Sequence, residues 1–281
     1  MLMSPDEFLE WPEKAVTLLG MSGVGKTHLA YKLPSTSWFH YSGDYRIGTK
    51  YLEEPILDNI KRQAMQVDFL QDLLRSDSIY IASNITVHNL EPISTFLGKL
   101  GRADMGGLPL DEFKRRQRLH MAAEVEAMKD VASFIRKAHE IYGYDHFLND
   151  AGGSICELDD PEALRVLAEC TLILYLRAGP DMEDELIRRA ITNPKPLYYR
   201  EDFLDQKLAE YLHQEGLSGA DQIEPDKFTA WIFPELVRHR RPLYENIAEH
   251  HGYTVDARDL GQIAGEADFL AMVADAIRRK G

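Results

Sequence analysis

The chain has 281 residues, 44% hydrophobic and 28% charged, so it can bury the core of one enlarged domain or two modest ones. Its formal net charge of −14 argues against nucleic acid or an anionic membrane as a partner, because both need a basic footprint. The sequence contains no membrane-length apolar run, no targeting signal and only two cysteines, Cys156 and Cys170, which predicts a reducing, cytoplasmic location.

Hydrophobic periodicity predicts strands alternating with helices along the chain. Short apolar runs indicate buried strands, and apolar residues at helical spacing indicate amphipathic helices. The predicted strands are 15–19, 37–41, 78–82, 145–149, 171–176 and 253–255. The predicted helices are 26–33, 59–74, 110–141 (one long helix or two stacked ones), 160–169, 182–191, 202–215, 225–250 and 266–279. This alternation predicts an α/β fold with a mainly parallel sheet covered on both faces.

The stretch from about Glu54 to Pro109 interrupts this alternation. It predicts an insertion or a lid. We therefore expect a core formed by residues 1–53 and 145–281, with a mostly helical insertion at 54–144. The insertion would bind the acceptor, cover the site, or contact a protein partner.

Residues 20–27 read GMSGVGKT and match the phosphate-loop pattern G-x-x-x-x-G-K-S/T at every fixed position. An apolar run precedes the motif and a helical pattern follows it, which is the context this loop requires. Gly20 and Gly25 allow conformations and close approaches that side chains disfavour, and successive N–H groups form an anion-binding nest. Lys26 would neutralise the β- and γ-phosphates, and the Thr27 hydroxyl would bind Mg²⁺.

The sequence thus predicts a three-layer P-loop NTPase fold that uses ATP and Mg²⁺. The predicted nucleotide-binding residues are Gly20, Ser22, Gly23, Val24, Gly25, Lys26, Thr27 and His28.

Two aspartates follow predicted strands, at the edge where open α/β sheets bind ligands. Asp44 follows the second strand, and Asp150 follows the strand at 145–149, immediately before Gly152 and Gly153. Asp150 is a candidate Mg²⁺ ligand, either direct or through water, or a general base. For each aspartate, a turn or helix cap is the alternative interpretation.

The order of these motifs resembles that of the shikimate kinase family, within the nucleoside-monophosphate-kinase-like group of P-loop kinases. The resemblance covers two blocks, about 14–53 and 145–280. The matching segments are residues 20–27, SGD at 42–44 with Gly48, DAGGS at 150–154, LYLR at 174–177, Arg188 and Arg189, NPKPL at 193–197, and RRPLYE at 240–245 followed by Val255 and Asp256.

The resemblance implies roles for residues on the acceptor side. Asp44 would hold the acceptor hydroxyls and take the proton from the attacking one. Gly152 and Gly153 would present main-chain N–H groups to the acceptor. Arg240 would pair with the acceptor's anionic group.

The resemblance also implies cationic residues on the nucleotide side. Arg188 or Arg189 would lie against the adenine. Lys195 stands where the family usually has an arginine, and it would stabilise the transferring phosphoryl group when the lid closes. A lysine there lacks the bidentate fork of arginine, which weakens this stabilisation.

Two departures from the family pattern affect the acceptor. Ser42 replaces the first carboxylate of the family's acidic turn, and Asp150 is the candidate to replace it at the metal. The short acceptor-binding segment of the family is replaced by residues 54–144, in which Arg115, Arg116 and Arg118 either bind an acceptor anion or form a solvated helix face. The acceptor is therefore expected not to be shikimate.

The leading hypothesis is an ATP-dependent kinase that transfers the γ-phosphoryl group of Mg-ATP to a small-molecule acceptor. Its catalytic residues would be Lys26, Asp44, Lys195 and Arg240, with Thr27 and Asp150 at the metal. The alternative is an ATPase or nucleotide-dependent switch that acts on a protein partner through the insertion. A nucleic-acid end kinase conflicts with the net charge of −14.

Overall fold

A parallel sheet forms around the apolar run that precedes the phosphate loop. The computed structural model describes residues 1–280, and within them the sheet has five strands in the order β2-β3-β1-β4-β5. They are β1 (Ala15–Leu19), β2 (Trp38–Ser42), β3 (His146–Asp150), β4 (Leu172–Arg177) and β5 (Gly252–Asp256). Every pairing is parallel. The strands that follow β1 in the chain first lie on one side of it in the strand order (β2 and β3) and later on the other side (β4 and β5). The carboxyl end of β1 is therefore the topological switch point, where such sheets bind ligands.

Helices account for most of the remaining chain. Local sequence determines several of their ends: Ser4 and Glu7 form a capping box on the first helix, and Asp160 caps a helix that begins with Pro161. The helices are α1 (Pro5–Glu10), α2 (Lys26–Ala30), α3 (Gly43–Arg46), α4 (Glu53–Ala64), α5 (Asp68–Arg75), α6 (Glu91–Leu97), α7 (Leu110–Lys129), α8 (Val131–Glu140), α9 (Pro161–Cys170), α10 (Pro180–Thr192), α11 (Glu201–Glu215), α12 (Pro225–His251) and α13 (Glu266–Lys280). Among residues 1–280, no helix has the length and apolar character needed to cross a bilayer.

Helices cover both faces of the sheet. Successive residues of a strand face opposite sides. Trp38 packs its ring against Phe269 of α13, with centroids 5.5 Å apart, whereas the next residue, Phe39, packs against Phe134 of α8 at 6.4 Å. β1 is buried at all five positions, as expected for a central parallel strand. The predicted three-layer α/β architecture is confirmed.

The predicted elements agree with the structure except between the second and third strands. The predicted strand at 78–82 is wrong, since these residues form neither a strand nor a helix. The predicted helix at 59–74 is two helices, α4 and α5, separated at Val67, whose backbone is extended. For residues 110–141, where one long helix or two stacked ones were predicted, the structure has the two helices α7 and α8.

The chain divides into two compact units whose boundaries differ from the predicted ones. The first unit comprises Met1–Gly43, Glu124–Pro194 and Thr229–Gly281, and contains the sheet. The second comprises Asp44–Ala123 and Lys195–Phe228 and is mainly helical. The second unit therefore includes residues 195–228, which the sequence interpretation assigned to the core, and it ends its first segment at Ala123 rather than at residue 144.

A buried arginine connects three elements inside the second unit. Arg116 of α7 donates to the main-chain oxygen of Phe96 in α6 at 2.6 Å and to Asn59 Oδ1 in α4 at 2.7 Å. It also pairs with Glu112 one turn earlier at 2.7 Å. The sequence left two roles open for Arg116, namely acceptor binding or a place on a solvated helix face. Neither role fits, because the side chain is buried and its guanidinium is hydrogen-bonded within the unit.

Candidate active site

The phosphate loop leaves β1 through glycines in left-handed conformations. Gly20, Gly23 and Gly25 have φ angles of 147°, 88° and 104°. A side chain on Gly20 would place its Cβ 2.8 Å from the main-chain oxygen of Leu176 in β4. Glycine is therefore required at Gly20 both by conformation and by the closeness of the neighbouring strand.

Lys26 is folded back into the loop. Its side chain is buried, with the residue 7% exposed, and its ammonium donates to the oxygens of Gly20 at 2.7 Å and Met21 at 3.2 Å. A buried ammonium needs such acceptors or an anion. The loop therefore holds one positive charge at its centre, where the β- and γ-phosphates of a nucleotide would lie.

The hydroxyl of Thr27 and the carboxylate of Asp150 converge next to this ammonium. The hydroxyl donates to Asp150 Oδ2 at 2.5 Å. Asp150 is the last residue of β3 and lies opposite Leu18 of β1 and Ser42 of β2 in the sheet register. The parallel pairing of these strands thus brings residues 123 positions apart in sequence to one site.

Asp150 is ionised in this environment. Burial raises the pKa of this carboxyl, but His40, the Lys26 ammonium and the Thr27 hydroxyl together outweigh it, so that the pKa lies below its ordinary value. His40 Nε2 is 3.6 Å from Asp150 Oδ2, which is longer than a hydrogen bond. A carboxylate and a hydroxyl are the hard oxygen ligands that Mg²⁺ prefers, so the residues present fit this ion.

His40 was not among the predicted site residues. It lies on β2 two positions before Ser42, and its ring also meets Tyr31 edge to face, with centroids 5.7 Å apart. The sequence shows only that His40 lies within an aromatic predicted strand that precedes the acidic turn. It does not show that this strand pairs with β3, which is what brings His40 close to Asp150.

The glycine turn after β3 packs directly on the phosphate loop. A Cβ on Gly153 would lie 3.0 Å from the main-chain nitrogen of Ser22. A Cβ on Gly43, at the end of β2, would lie 3.4 Å from the nitrogen of Gly152 and 3.3 Å from the oxygen of Asp150. Three chain segments thus approach each other with no room for side chains between them.

Arg240 does not occupy the predicted position. It was predicted to be a catalytic residue that pairs with the acceptor's anionic group. Instead the residue is 2% exposed, and its guanidinium binds Glu157 through Nε at 2.7 Å and through a second nitrogen at 2.5 Å. Its remaining amino group donates to the oxygen of Gly153 at 2.7 Å. Arg240 is therefore a buried support of the glycine turn, because Glu157 supplies the negative charge that a ligand would otherwise have supplied.

Tyr244, one helical turn after Arg240, is a second support that the sequence did not reveal. It is fully buried, and its hydroxyl lies 2.9 Å from the oxygen of Gly153 and 3.2 Å from that of Gly20. Its ring stacks on that of Tyr175 in β4, with centroids 5.2 Å apart. The long helix α12 thus contacts both the phosphate loop and the glycine turn from inside the first unit.

Further buried carboxylates lie behind the glycine turn. Ser154 donates to Glu124 at 2.5 Å, and His239 Nε2 lies 3.3 Å from Glu157. Burial raises the pKa of Glu157, but the charge and hydrogen bond of Arg240, together with the nearby His239, outweigh burial, so that the pKa lies below its ordinary value. Glu157 is therefore an ionised residue in the interior.

The remaining predicted nucleotide-binding residues lie at or near the loop surface or in α10. Val24 is buried, whereas Ser22, Gly23 and His28 are exposed. Arg188 and Arg189 are exposed, and both pair with Glu185 of the same helix, at 2.7 and 2.6 Å. Leu186 of the same helix approaches the loop, since a Cβ on Gly23 would lie 2.9 Å from its side chain. Contact between either arginine and adenine stays a prediction.

Three predicted site residues belong to the second unit. Asp44 lies in the short helix α3, and Lys195 is exposed in the segment between α10 and α11. Arg115 is about half exposed and makes two hydrogen bonds to Glu112, at 2.7 and 2.9 Å. This is the arrangement of a solvated helix face, which was one of its two predicted roles. The first unit by itself brings together residues 20–27, Asp150, Gly152 and Gly153.

Two solved structures are similar to the chain along most of its length. A shikimate kinase from Acinetobacter baumannii in complex with shikimate has 15% sequence identity and a TM-score of 0.41, covering 92% of this chain and 93% of that one. A shikimate kinase from Bacteroides thetaiotaomicron has 13% identity and a TM-score of 0.36, covering 95% of each chain. No protein-family model and no curated protein matches the sequence. The description of the site therefore depends on its own geometry.

Proposed function

We propose that the protein is an ATP-dependent phosphotransferase that transfers the γ-phosphoryl group of Mg-ATP to a small-molecule acceptor other than shikimate. One observation supports this most directly. A buried lysine ammonium, a threonine hydroxyl and an ionised aspartate meet at the carboxyl edge of the sheet, with Thr27 Oγ1 and Asp150 Oδ2 only 2.5 Å apart. This set combines one cation for phosphate with two oxygen donors for a hard metal ion.

The loop would bind the polyphosphate through its main-chain N–H groups and Lys26. Thr27 and Asp150 would hold Mg²⁺, which supplies positive charge that neutralises the phosphate oxygens when bound. Because phosphoryl transfer requires little covalent assistance, placing these charges correctly accounts for most of the expected rate enhancement. The close approach of Gly20 to the main chain of Leu176, and of Gly23 and Gly25 to the side chains of Leu186 and Leu260, favours such precise placement.

The acceptor is proposed to bind near the main chain of Gly152 and Gly153. Asp44, which directly follows Gly43 in the chain, would orient the acceptor hydroxyl and accept its proton, and Lys195 would stabilise the transferring group. Arg240 is not proposed to bind the acceptor, because Glu157 neutralises its charge. The acceptor therefore needs a different anchor from the one that the family resemblance implies, which is one reason to propose that it is not shikimate.

Transfer of label from γ-labelled ATP tests this proposal. The purified protein, Mg²⁺ and labelled ATP would be incubated with a panel of small hydroxyl and carboxyl metabolites that includes shikimate. Label in an organic acceptor supports the proposal, and Asp44→Asn should then lose transfer while it keeps ATP affinity. Lys26→Ala should lose transfer with its circular dichroism spectrum intact.

Two results would contradict the proposal in different ways. Label that appears only in inorganic phosphate, with stimulation by a protein partner, would indicate the alternative ATPase. Absence of ATP and ADP binding in millimolar Mg²⁺ would remove both enzymatic interpretations.

A further inference from the structure

The Tyr244 hydroxyl lies between two buried main-chain oxygens that belong to different parts of the site. It is 3.2 Å from the oxygen of Gly20 in the phosphate loop and 2.9 Å from that of Gly153 in the glycine turn. A phenol has one hydrogen to donate. The hydroxyl can therefore fully satisfy only one of these two oxygens at a time.

Each oxygen also accepts a hydrogen bond from a cationic side chain, and the two side chains differ in how firmly they are held in place. The oxygen of Gly153 accepts from Arg240 at 2.7 Å, and Arg240 is fixed by its buried pair with Glu157. The oxygen of Gly20 accepts from Lys26 at 2.7 Å. Lys26 is the group that the proposed function assigns to the phosphates, so a bound polyphosphate would draw this donor away.

We propose that Tyr244 is a positioning residue that acts through Lys26, an inference that rests on the proposed function. When the Lys26 ammonium turns from Gly20 to the phosphates, the Tyr244 hydrogen turns to the oxygen of Gly20. Arg240 continues to satisfy the oxygen of Gly153 during this exchange. Neither glycine oxygen is left without a donor, so Lys26 can bind phosphate without that penalty.

The surroundings of Tyr244 restrict the change to its hydroxyl. The residue is fully buried, and its ring is stacked on Tyr175 with planes only 8° apart. Rotation of the O–H bond is sufficient, because both oxygens already lie within hydrogen-bond distance. The loop backbone thus keeps its shape while the lysine moves.

The test is a comparison of nucleotide affinities by calorimetry in Mg²⁺. In Tyr244→Phe, the oxygen of Gly20 keeps a donor only while Lys26 stays on it. We expect ADP to bind about tenfold more weakly than to the wild type. AMP, which has no β-phosphate to draw Lys26 away, should bind equally well. The matched control is Tyr175→Phe, which removes a buried hydroxyl from the same stack and should leave both affinities unchanged.

A double-mutant cycle with Lys26→Met separates positioning from a general structural role. Without the ammonium there is no exchange, so adding Tyr244→Phe to Lys26→Met should not weaken ADP binding further. An equal loss of ADP and AMP affinity in Tyr244→Phe, or the same tenfold loss in the Lys26→Met background, would overturn the inference and leave the proposed function standing. Failure of the wild type to bind ADP would overturn both.

A crystal structure of the wild type with ADP and Mg²⁺ tests the same inference without a substitution at position 244, should Tyr244→Phe fail to fold. The expected result is Lys26 Nζ at the β-phosphate and a Tyr244 oxygen that stays within hydrogen-bond distance of the Gly20 oxygen. Lys26 Nζ still bound to Gly20 with nucleotide in the loop would contradict the inference.

Discussion

At the scale of single residues, the hydroxyl of Thr27 is the link between the phosphate loop and Asp150. Thr27→Val preserves the shape of the side chain and removes this hydroxyl. Because a hydrogen bond to a charged group and one proposed metal ligand are lost together, we expect affinity for ATP in Mg²⁺ to fall about tenfold or more. Calorimetry with and without Mg²⁺ measures this, and Thr27→Ser, which keeps the hydroxyl, is the control. An unchanged Mg²⁺ dependence in Thr27→Val would exclude Thr27 as a metal ligand.

Glu157 gives a prediction that depends on pH. Glu157→Gln leaves Arg240 buried without its counter-charge, so we expect the free energy of unfolding at neutral pH to fall by about 3–5 kcal/mol. The pKa of Glu157 is lowered in the folded state, so its carboxylate stabilises the fold above the ordinary carboxyl pKa of 4.5, and this stabilisation is lost as the pH falls below that value. The difference between wild type and variant should therefore shrink on acidification.

Urea unfolding at about pH 7 and about pH 4 measures this difference. The matched control is Glu185→Gln, which removes an exposed carboxylate that pairs with Arg188 and Arg189. Surface pairs of this kind contribute little, so its stability should stay close to that of the wild type at both pH values. A gap between Glu157→Gln and wild type that does not change with pH would show that the Glu157 carboxylate is not the source of the effect.

The conformation of residues 20–27 could be predicted from the sequence because a motif specifies it, whereas contacts made by long-range packing could not. The positions of Gly20, Lys26 and Thr27 follow from the loop motif alone. Arg240 was predicted to face a ligand, but a carboxylate 83 positions earlier in the sequence neutralises it. Nothing in the local sequence of Glu157 indicates that it is buried or that it meets an arginine.

At the scale of elements, the turn after β3 is packed on the phosphate loop at main-chain contact. Gly153→Ala would bring a Cβ to 3.0 Å from the nitrogen of Ser22, so one of the two segments must move. Because the P-loop nitrogens are expected to bind phosphate, we expect ADP affinity to fall severalfold, by about 1 kcal/mol or more. Gly261→Ala, where a Cβ would meet no atom within 4 Å, is the control. Normal ADP affinity in Gly153→Ala would show that the turn yields without disturbing the loop.

The element prediction failed where an alternating pattern had no partner strand. Residues 78–82 read SIYIA, which alternates as a strand does, yet they form no ladder, and Tyr80 is 89% exposed. The pattern at 59–74 fits one helix, but the extended backbone of Val67 divides it. Periodicity shows which residues are apolar, but it does not show whether another strand or helix packs against them. The central strands β1, β3 and β4 were predicted correctly because nearly all of their residues are buried.

At the scale of the whole molecule, the acidic balance of the chain gives a prediction about partners. With a net charge of −14, the protein should not bind single- or double-stranded oligonucleotides even at low salt, where phosphate contacts are strongest. Fluorescence anisotropy at about 50 mM salt measures this, and ATP serves as the positive control for an intact site. Binding that weakens steeply as salt increases would revive a nucleic-acid substrate.

The division of the chain into units could be predicted only in part. The alternation of strands and helices indicated that something interrupts the core after the second strand. It did not indicate that residues 195–228 join the interrupting segment. That association depends on pairings such as Gln117 with the main chain of Leu197 and Tyr199, 80 and 82 positions apart. Such contacts have no periodic pattern, so composition and spacing cannot reveal them.

The left-handed glycines of the phosphate loop also limit how this protein could change by mutation. At Gly20 a substitution meets both an unfavourable conformation and a main-chain oxygen, so saturation mutagenesis should find almost no tolerated replacement there. Selection for a different reaction therefore has little freedom on the nucleotide side. Under the proposed function, a new acceptor would have to be acquired through substitutions elsewhere, with the same phosphate donor retained.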